Sequence, residues 1–252
     1  MNFLSLLKRK FYYLLSPKIN IDKQKNLSNY SLENLFSYYK TDKASFVNNK
    51  KSHGYTKYYL KYLNKFKNKK INILEIGSFS GASAAAFSKF FKHAKIFCID
   101  VNIKNFKYYS KNIKVYGVDA SNKAHVLKFL KKININKNKI FFDIIIDDGS
   151  HKLKDMLCGL RLFFDHLKIN GFYIIEDYKF PNYFSHLNDP SELTIDKLSN
   201  NILSKKLFKS QILEKKFQIK IFNEIKKIYK HKGSLKISNI VFFKKNKITI
   251  LF

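Results

Sequence analysis

The stretch INILEIGSFSG, residues 71–81, decides the fold of this 252-residue chain. Four of its first six residues are apolar, which is typical of a strand buried on both faces of a sheet. Gly77 and Gly81 then allow a tight turn and a close approach of the backbone to a ligand, before a segment of helical length. The spacing E-x-G-x-x-x-G is neither that of a dinucleotide-binding turn nor that of a P-loop, so no pyrophosphate cradle is predicted.

The same alternation of short apolar runs and helix-length segments continues as far as residue 177. The predicted strands cover residues 71–76, 95–99, 113–118, 140–146 and 172–175. The predicted helices cover residues 81–92, 121–132 and 152–167, with a shorter one near 105–112. Near-continuous apolar strands separated by helices predict an α/β fold with a Rossmann-like, doubly wound and mostly parallel sheet.

Weaker patterns flank this core. Helical periodicity at 31–40 and 55–66 predicts that residues 1–70 form an N-terminal helical extension of the same domain, placed as a lid on the ligand site. Beyond residue 177, the sequence predicts a helix near 195–215 and β-prone runs at 217–222, 225–229, 237–243 and 247–252. A turn at 232–234 joins the middle two, so residues 71–252 are predicted to form a seven-stranded sheet with a C-terminal antiparallel hairpin.

The acidic residues follow the predicted strands. Seven of the 18 stand where five successive strands end: Glu75, Asp100, Asp119, Asp147, Asp148, Glu176 and Asp177. Turns and helix N-caps account for one or two acids of this kind, but not for a carboxylate on every strand. Since these ends meet at one edge of a doubly wound sheet, the acids would repel each other unless cations neutralise them. A bound metal and a positively charged cofactor are the candidates.

The glycine turn, with Asp100 and Asp119 on the next two strands, resembles the class I S-adenosylmethionine (SAM)-dependent methyltransferases. The resemblance implies that Glu75, Gly77 and Gly81 line the methionine and ribose part of SAM, and that Asp100 holds the ribose. It places Asp119 and Ala120 at the adenine. Ser78 and Ser83 are candidates for further polar contacts with SAM, and equally for a turn and an N-cap.

Two later stretches resemble a narrower group. FDIIIDDGSH at 142–151 and GFYIIED at 171–177 are similar to the metal-dependent macrolide-sugar O-methyltransferases and the wider cephalosporin-hydroxylase-like group. The motifs TDK at 41–43 and HGYT at 53–56 resemble that group's lead-in to the first strand. The resemblance covers about residues 38 to 180.

This resemblance implies a catalytic metal site. Asp148, Glu176 and Asp177 would bind Mg²⁺ or another hard divalent cation, since carboxylate oxygens suit such ions better than zinc. His151 would be the general base and Asp148 its catalytic partner at the metal. Asp147 would face the amino group of SAM or lie beside the metal ligands. The other six histidines, His53 among them, are interpreted as surface or helix-terminal residues.

Composition adds expectations about partners. The net charge of +31 comes from 47 lysines and only two arginines, spread along the chain and accompanied by many Phe, Tyr, Ile and Asn residues. A/T-rich codons encode this set, so a nucleic-acid partner is not predicted, and a small-molecule or glycan substrate is. Residues 1–15 predict an amphipathic helix that packs on the domain or a partner, with peripheral membrane contact as the alternative. Cys98 and Cys158 predict reduced cytoplasmic thiols, and a homo-oligomer stays open.

The functional prediction is SAM-dependent O-methylation of a hydroxyl on a sugar or glycoconjugate. Three alternatives remain: a metal-dependent hydroxylase of the same wider group, an RNA methyltransferase, and a non-enzymatic SAM-binding or glycan-assembly protein. No 2-His-1-carboxylate pattern supports the hydroxylase. No N-P-P-Y-type loop follows the fourth strand, where an amino methyltransferase would need it.

Overall fold

One sheet runs through the middle of the molecule. The computed structural model describes residues 17–24, 27, 29–134 and 141–246. The strands within these ranges are β1 Ile19–Asn20, β2 Phe46–Val47, β3 Lys50–Lys51, β4 Ile71–Ile76, β5 Ala94–Asp100, β6 Tyr108–Tyr109, β7 Ile113–Gly117, β8 Phe142–Asp147, β9 Leu167–Glu176, β10 Ile225–Lys232 and β11 Asn239–Lys245. The α-helices are α1 Leu32–Tyr38, α2 Thr56–Leu63, α3 Ala82–Phe90, α4 Lys123–Lys132, α5 Leu153–Phe163, α6 Phe180–Tyr183, α7 Ile195–Ser204 and α8 Lys215–Glu224.

Seven of these strands form the central sheet in the order β10-β11-β9-β8-β4-β5-β7. The strands β7, β5, β4, β8 and β9 are parallel, whereas β11 is antiparallel to both β9 and β10. The predicted fold class is therefore confirmed: a mostly parallel, doubly wound sheet with a C-terminal antiparallel hairpin. The strand order reverses beside β4, where ligands bind in folds of this kind.

Alternate residues of each strand enter two separate cores, one on each face of the sheet. In β4, Leu74 and Ile76 pack with α4, α5, α7 and α8, whereas Ile71 and Ile73 pack with α1, α2 and α3. This period of two places helices on both faces and explains why the strands are apolar almost throughout. Burial of each such Ile or Leu side chain stabilises the fold by about 1.5–3 kcal/mol.

The described part of the first 70 residues packs against the sheet. Helices α1 and α2 contribute to the same core as α3, and β2 and β3 form a small hairpin between them. The predicted helices at 31–40 and 55–66 are thus present in shorter form. The role of this part as a lid stays a prediction. The helix expected in residues 1–15 and the strand expected at 247–252 lie outside the described residues.

Three predicted elements are wrong. Residues 217–222 form most of α8 rather than a strand, with Phe217, Ile221 and Phe222 on its buried face. The helix predicted to reach residue 215 ends at Ser204, because Lys205 adopts a left-handed conformation that caps α7. A short helix was also expected near 105–112, where the chain instead forms strand β6 beside β1.

None of the helices in the described ranges is long and apolar enough to cross a membrane.

The glycine turn after β4 tolerates no side chain at its first glycine. Gly77 has φ 81°, and a Cβ there would lie 2.2 Å from the backbone oxygen of Asp148. We expect Gly77→Ala to lower the free energy of unfolding by about 2–4 kcal/mol, because backbone atoms must move apart. Chemical denaturation measures this change. Gly117→Ala is the matched control, since a Cβ at Gly117 meets nothing within 4 Å. Equal stability of the two variants would contradict the prediction.

Candidate active site

A cavity of about 530 Å³ opens at the carboxyl ends of the parallel strands. Its volume is in the range of small-molecule sites. The residues that the sequence singled out divide into two sets. Those that line the cavity are Gly77, Ser78, Ser83, Asp100, Asp119, Ala120, Asp147, Asp148 and His151. Those outside its lining are Glu75, Gly81, Glu176 and Asp177.

The glycine turn places a buried carboxylate beneath the cavity. Glu75 is fully buried, and one of its oxygens accepts a hydrogen bond from the Ser83 hydroxyl. Burial raises the pKa of Glu75 to about 7, although the charge of Lys43 and the Ser83 hydrogen bond act in the opposite direction. Gly81 begins α3 with φ 76° and packs on the Phe106 ring, where a Cβ would lie 2.4 Å from a ring carbon. Gly81 thus serves the packing of the turn.

Backbone donors fix the orientation of Asp100. Its Oδ2 accepts a hydrogen bond from the Phe79 N–H at 2.8 Å, and its Oδ1 accepts one from the Asn102 N–H at 2.8 Å. The carboxylate is thereby held at the cavity wall at the end of β5. Asp119 has a turn role as well, since its Oδ1 accepts hydrogen bonds from both the N–H and the hydroxyl of Ser121.

The DDGSH stretch contributes two carboxylates of different character. Asp147 is buried, 3.3 Å from the Gly149 N–H and 3.4 Å from the Tyr173 hydroxyl, and burial raises its pKa to about 7. Asp148 is partly exposed at the cavity. His151 has a left-handed backbone with φ 57°, which turns its ring towards Asp148, 4.0 Å from Nε2 to Oδ1.

Asp148, His151 and Asp177 form a group that a metal ion fits. One ligand atom from each lies within 4.8 Å of the other two. The carboxylate oxygens of Asp148 and Asp177 suit Mg²⁺ or Mn²⁺. Glu176, the third predicted ligand, points to a different set of partners: its Oε1 accepts a hydrogen bond from Tyr59 and its Oε2 accepts one from Lys43 at 2.9 Å.

Lys43 is the functional-site residue that sequence reasoning missed. Its side chain is 1% exposed, and its Nζ lies 2.5 Å from Asp148 Oδ2 and 2.9 Å from Glu176 Oε2. Burial alone would lower the pKa of Lys43, but the charges of Asp148 and Glu176 outweigh it and raise that pKa well above the ordinary value. The ammonium is therefore a permanent cation between two predicted metal ligands.

The HGYT motif supplies further partners to the same edge. The hydroxyl of Tyr55 donates to Asp177 Oδ1, and His53 Nδ1 lies 3.3 Å from the same oxygen. Burial lowers the pKa of His53, but the hydrogen bond and charge of Asp177 outweigh it and raise the pKa to about 9. The interpretation of His53 as a surface residue is therefore wrong. The TDK and HGYT motifs at 41–43 and 53–56 were the signal for these residues.

Curated proteins of one group are similar to this chain in sequence. No family model matches the chain. L-olivosyl-oleandolide 3-O-methyltransferase of Streptomyces antibioticus is 29% identical over 167 residues, which are 64% of this chain. Mycinamicin VI 2''-O-methyltransferase of Micromonospora griseorubida is 27% identical over 153 residues, which are 58% of this chain. The chain resembles the macrolide-sugar O-methyltransferases.

The fold of that group is shared as well. The MycE methyltransferase of the mycinamycin biosynthetic pathway, solved in complex with Mg, SAH and mycinamycin VI, superposes with a TM-score of 0.65 at 21% identity over 88% of this chain. The matched regions cover 40% and 35% of the two curated relatives and 55% of that structure. The chain therefore has the class I methyltransferase fold and matches only part of the length of these macrolide-sugar O-methyltransferases.

The hydrogen bond between Tyr59 and Glu176 can be tested by mutation. The Tyr59 hydroxyl donates to Glu176 at a fully buried position. We expect Tyr59→Phe to lower the free energy of unfolding by about 1–3 kcal/mol, because a buried carboxylate loses a hydrogen bond. The matched control on the same helix is Tyr58→Phe, whose hydroxyl donates to the Lys232 carbonyl at an exposed position. Denaturation curves that rank the two variants the other way would refute this account.

Proposed function

We propose that the chain transfers a methyl group from SAM to a hydroxyl of a sugar or glycoconjugate, assisted by a hard divalent cation such as Mg²⁺. One observation carries this proposal: Asp100, Asp148 and His151 all line the same cavity. A cofactor held at Asp100 and an acceptor held beside Asp148 and His151 would meet there. The two curated relatives are named as O-methyltransferases of L-olivosyl-oleandolide and of mycinamicin VI, and these names support the reaction class.

The acidic lining of the cavity suits the positive charge of SAM. Asp100 would accept hydrogen bonds from the ribose hydroxyls, and Asp119 with Ala120 would flank the adenine. Asp147, whose carboxylate is buried, also lines the cavity. Positively charged groups of a ligand would stabilise a wall of this kind. When bound, SAM supplies an electrophilic methyl group on a sulfonium.

The residues at the other wall would organise the acceptor. Asp148, Glu176 and Asp177 are the carboxylates proposed for the metal, and oxygens of Asp148 and Asp177 lie within 4.8 Å of each other, close enough to share one ion. When bound, the cation lowers the pKa of a coordinated hydroxyl and fixes its direction. Orientation matters as much as acidity here, because the acceptor oxygen must approach the methyl carbon opposite to the sulfur.

His151 would move the proton. We propose that a ring nitrogen of His151 takes the proton of the acceptor hydroxyl while the oxygen–carbon bond forms and the sulfur–carbon bond breaks. The products are then a methyl ether, a neutral thioether and a protonated His151, which balances charge and atoms. Asp148, 4.0 Å from His151 Nε2, would stabilise the imidazolium.

The hydroxylase alternative loses support. Fe(II) hydroxylases of the facial-triad type use two histidines and one carboxylate. The metal-competent group found among the described residues has the opposite composition, one histidine and two carboxylates.

Binding of SAM tests the cofactor half of the proposal. Calorimetry with the full chain should show SAM and SAH binding, and Asp100→Asn should weaken both at least about tenfold, because two oriented acceptor oxygens become one. Asp22→Asn is the matched control: Asp22 also accepts a backbone N–H, from Lys111, but lies outside the cavity lining. Absence of SAM binding by the unaltered chain would overturn the whole assignment.

Methyl transfer to sugar acceptors tests the chemistry. We expect activity to vanish in EDTA and return with Mg²⁺, and His151→Ala to lower kcat by about 10²- to 10⁴-fold through loss of the general base. His186→Ala, in the turn Ser185–Leu187 outside the cavity lining, should leave kcat unchanged. Full turnover in EDTA would refute the metal, and full turnover of His151→Ala would refute the base.

A further inference from the structure

Two phenylalanine rings lie beside the proposed base, just after the end of β9. Helix α6 begins at Phe180, and the ring of Phe180 lies 4.8 Å from the ring of His151 between centroids. The Phe184 ring lies 5.6 Å from that of Phe180, with an angle of 66° between the two planes. Phe180 is half-buried, whereas Phe184 is 38% exposed. Because His151 lines the cavity, the two rings adjoin the cavity and lead from it to solvent.

The backbone and one proline hold these rings in place. The Phe180 N–H donates to the Asp177 carbonyl at 2.8 Å, and the Phe184 N–H donates to the Phe180 carbonyl at 2.9 Å. Pro181 is buried in the first turn of α6, where the fixed φ of proline suits a helix. None of these contacts involves a carboxylate side chain, so the placement of the rings is a property of the main chain.

The rings complement a sugar in chemical character. A pyranose has hydroxyls at its edge and C–H groups on its faces. Asp148 and His151 offer partners for a hydroxyl, and Phe180 offers an aromatic face next to them. The face of an aromatic ring carries partial negative charge and attracts polarised C–H groups. Adjoining apolar groups that stay exposed often mark a ligand-binding surface. A sugar whose hydroxyl reaches His151 would therefore lie against Phe180.

We propose that Phe180 and Phe184 form an aromatic wall of the acceptor site: Phe180 stacks on the C–H face of the sugar that is methylated, and Phe184 contacts the next unit of the glycoconjugate. This role rests on the proposed O-methylation and deepens it, because it assigns the contacts that select the acceptor. Both residues then determine specificity and take no part in proton transfer.

Stacking has a kinetic signature that support of the fold would not have. The contact is present in the ground state and in the transition state alike, so its loss raises KM and leaves kcat nearly unchanged. The affinity for SAH should also stay unchanged, since neither ring belongs to the cavity lining around Asp100. The second ring adds a dependence on acceptor length, because Phe184 matters only where the acceptor has a second unit.

The experiment is steady-state methyl transfer by the full chain with SAM and Mg²⁺, on methyl glycosides of the common hexoses and 6-deoxyhexoses and on disaccharides that end in the same sugars. With the best acceptor of each kind, we expect Phe180→Leu to raise KM about tenfold. Phe180→Tyr keeps the ring and should stay within about threefold of the unaltered KM. Phe184→Leu should raise KM at least about threefold for the disaccharide and leave it unchanged for the monosaccharide.

Tyr183→Leu is the matched control on the same helix. Tyr183 is 44% exposed, and its hydroxyl lies 3.4 Å from the Lys236 carbonyl, so its ring is turned towards the β10–β11 loop. Its replacement should leave KM unchanged for both acceptors. Calorimetry should give the same SAH affinity for all four variants, which shows that the fold and the cofactor side of the cavity are intact.

The outcomes separate the aromatic wall from the proposed function. An unchanged KM in Phe180→Leu would overturn the wall, and so would an equal rise of KM in Tyr183→Leu, which would show that order in this segment matters rather than the two rings. A lower oligomeric mass of Phe184→Leu in light scattering, with KM unchanged for both acceptors, would make the rings an interface between copies. In each of these cases O-methylation of sugars would stand. Methylation of no glycoside in the panel would remove the sugar acceptor from the proposed function, and the aromatic wall with it.

Discussion

Repulsion among carboxylates at one edge of the sheet is the constraint on which this structure depends. Parallel strands bring their carboxyl ends to the same side, so five consecutive strand ends gather seven acids at one edge of the sheet. Burial makes their mutual repulsion stronger than it would be in water. The fold offsets part of it with Lys43 and His53, which are the cations nearest to Asp148, Glu176 and Asp177. The repulsion that remains favours the binding of cationic ligands. A divalent metal and a sulfonium cofactor match that requirement.

The segment before the first strand of the sheet is therefore part of the active-site edge. Residues 41–44 pair with residues 53–56, and the tyrosine hydroxyls of this segment and of α2 reach Asp177 and Glu176. Helix α2 places Tyr59 one turn beyond Tyr55, so a single helical face serves two adjacent carboxylates at the end of β9. Folding of the N-terminal part and formation of the carboxylate edge are thus coupled through the same side chains.

The sheet could be predicted from the sequence because a parallel strand buried on both faces is apolar at nearly every position. The strand predicted at residues 217–222 is wrong because the apolar residues there fit the period of a helix as well as that of a strand. Phe217, Ile219 and Ile221 alternate as in a strand, yet Phe217 and Ile221 are also four residues apart as on a helix. In the structure Phe217 and Ile221 are buried while Ile219 is 45% exposed, which is the helical choice. A run this short satisfies both periods, and only packing against Phe164 and its neighbours decides between them.

The acidic residues of the site could be predicted from the sequence, whereas its cationic residues could not. An acid at a strand end is located by the strand itself, so local pattern gives its place at the edge. Lys43 is one of 47 lysines, and its partners Asp148 and Glu176 lie 105 and 133 residues away in the chain. Burial distinguishes it from most of the others, because an ammonium leaves water only where carboxylates replace its hydration. The identity of the internal cation is thus a property of the tertiary structure.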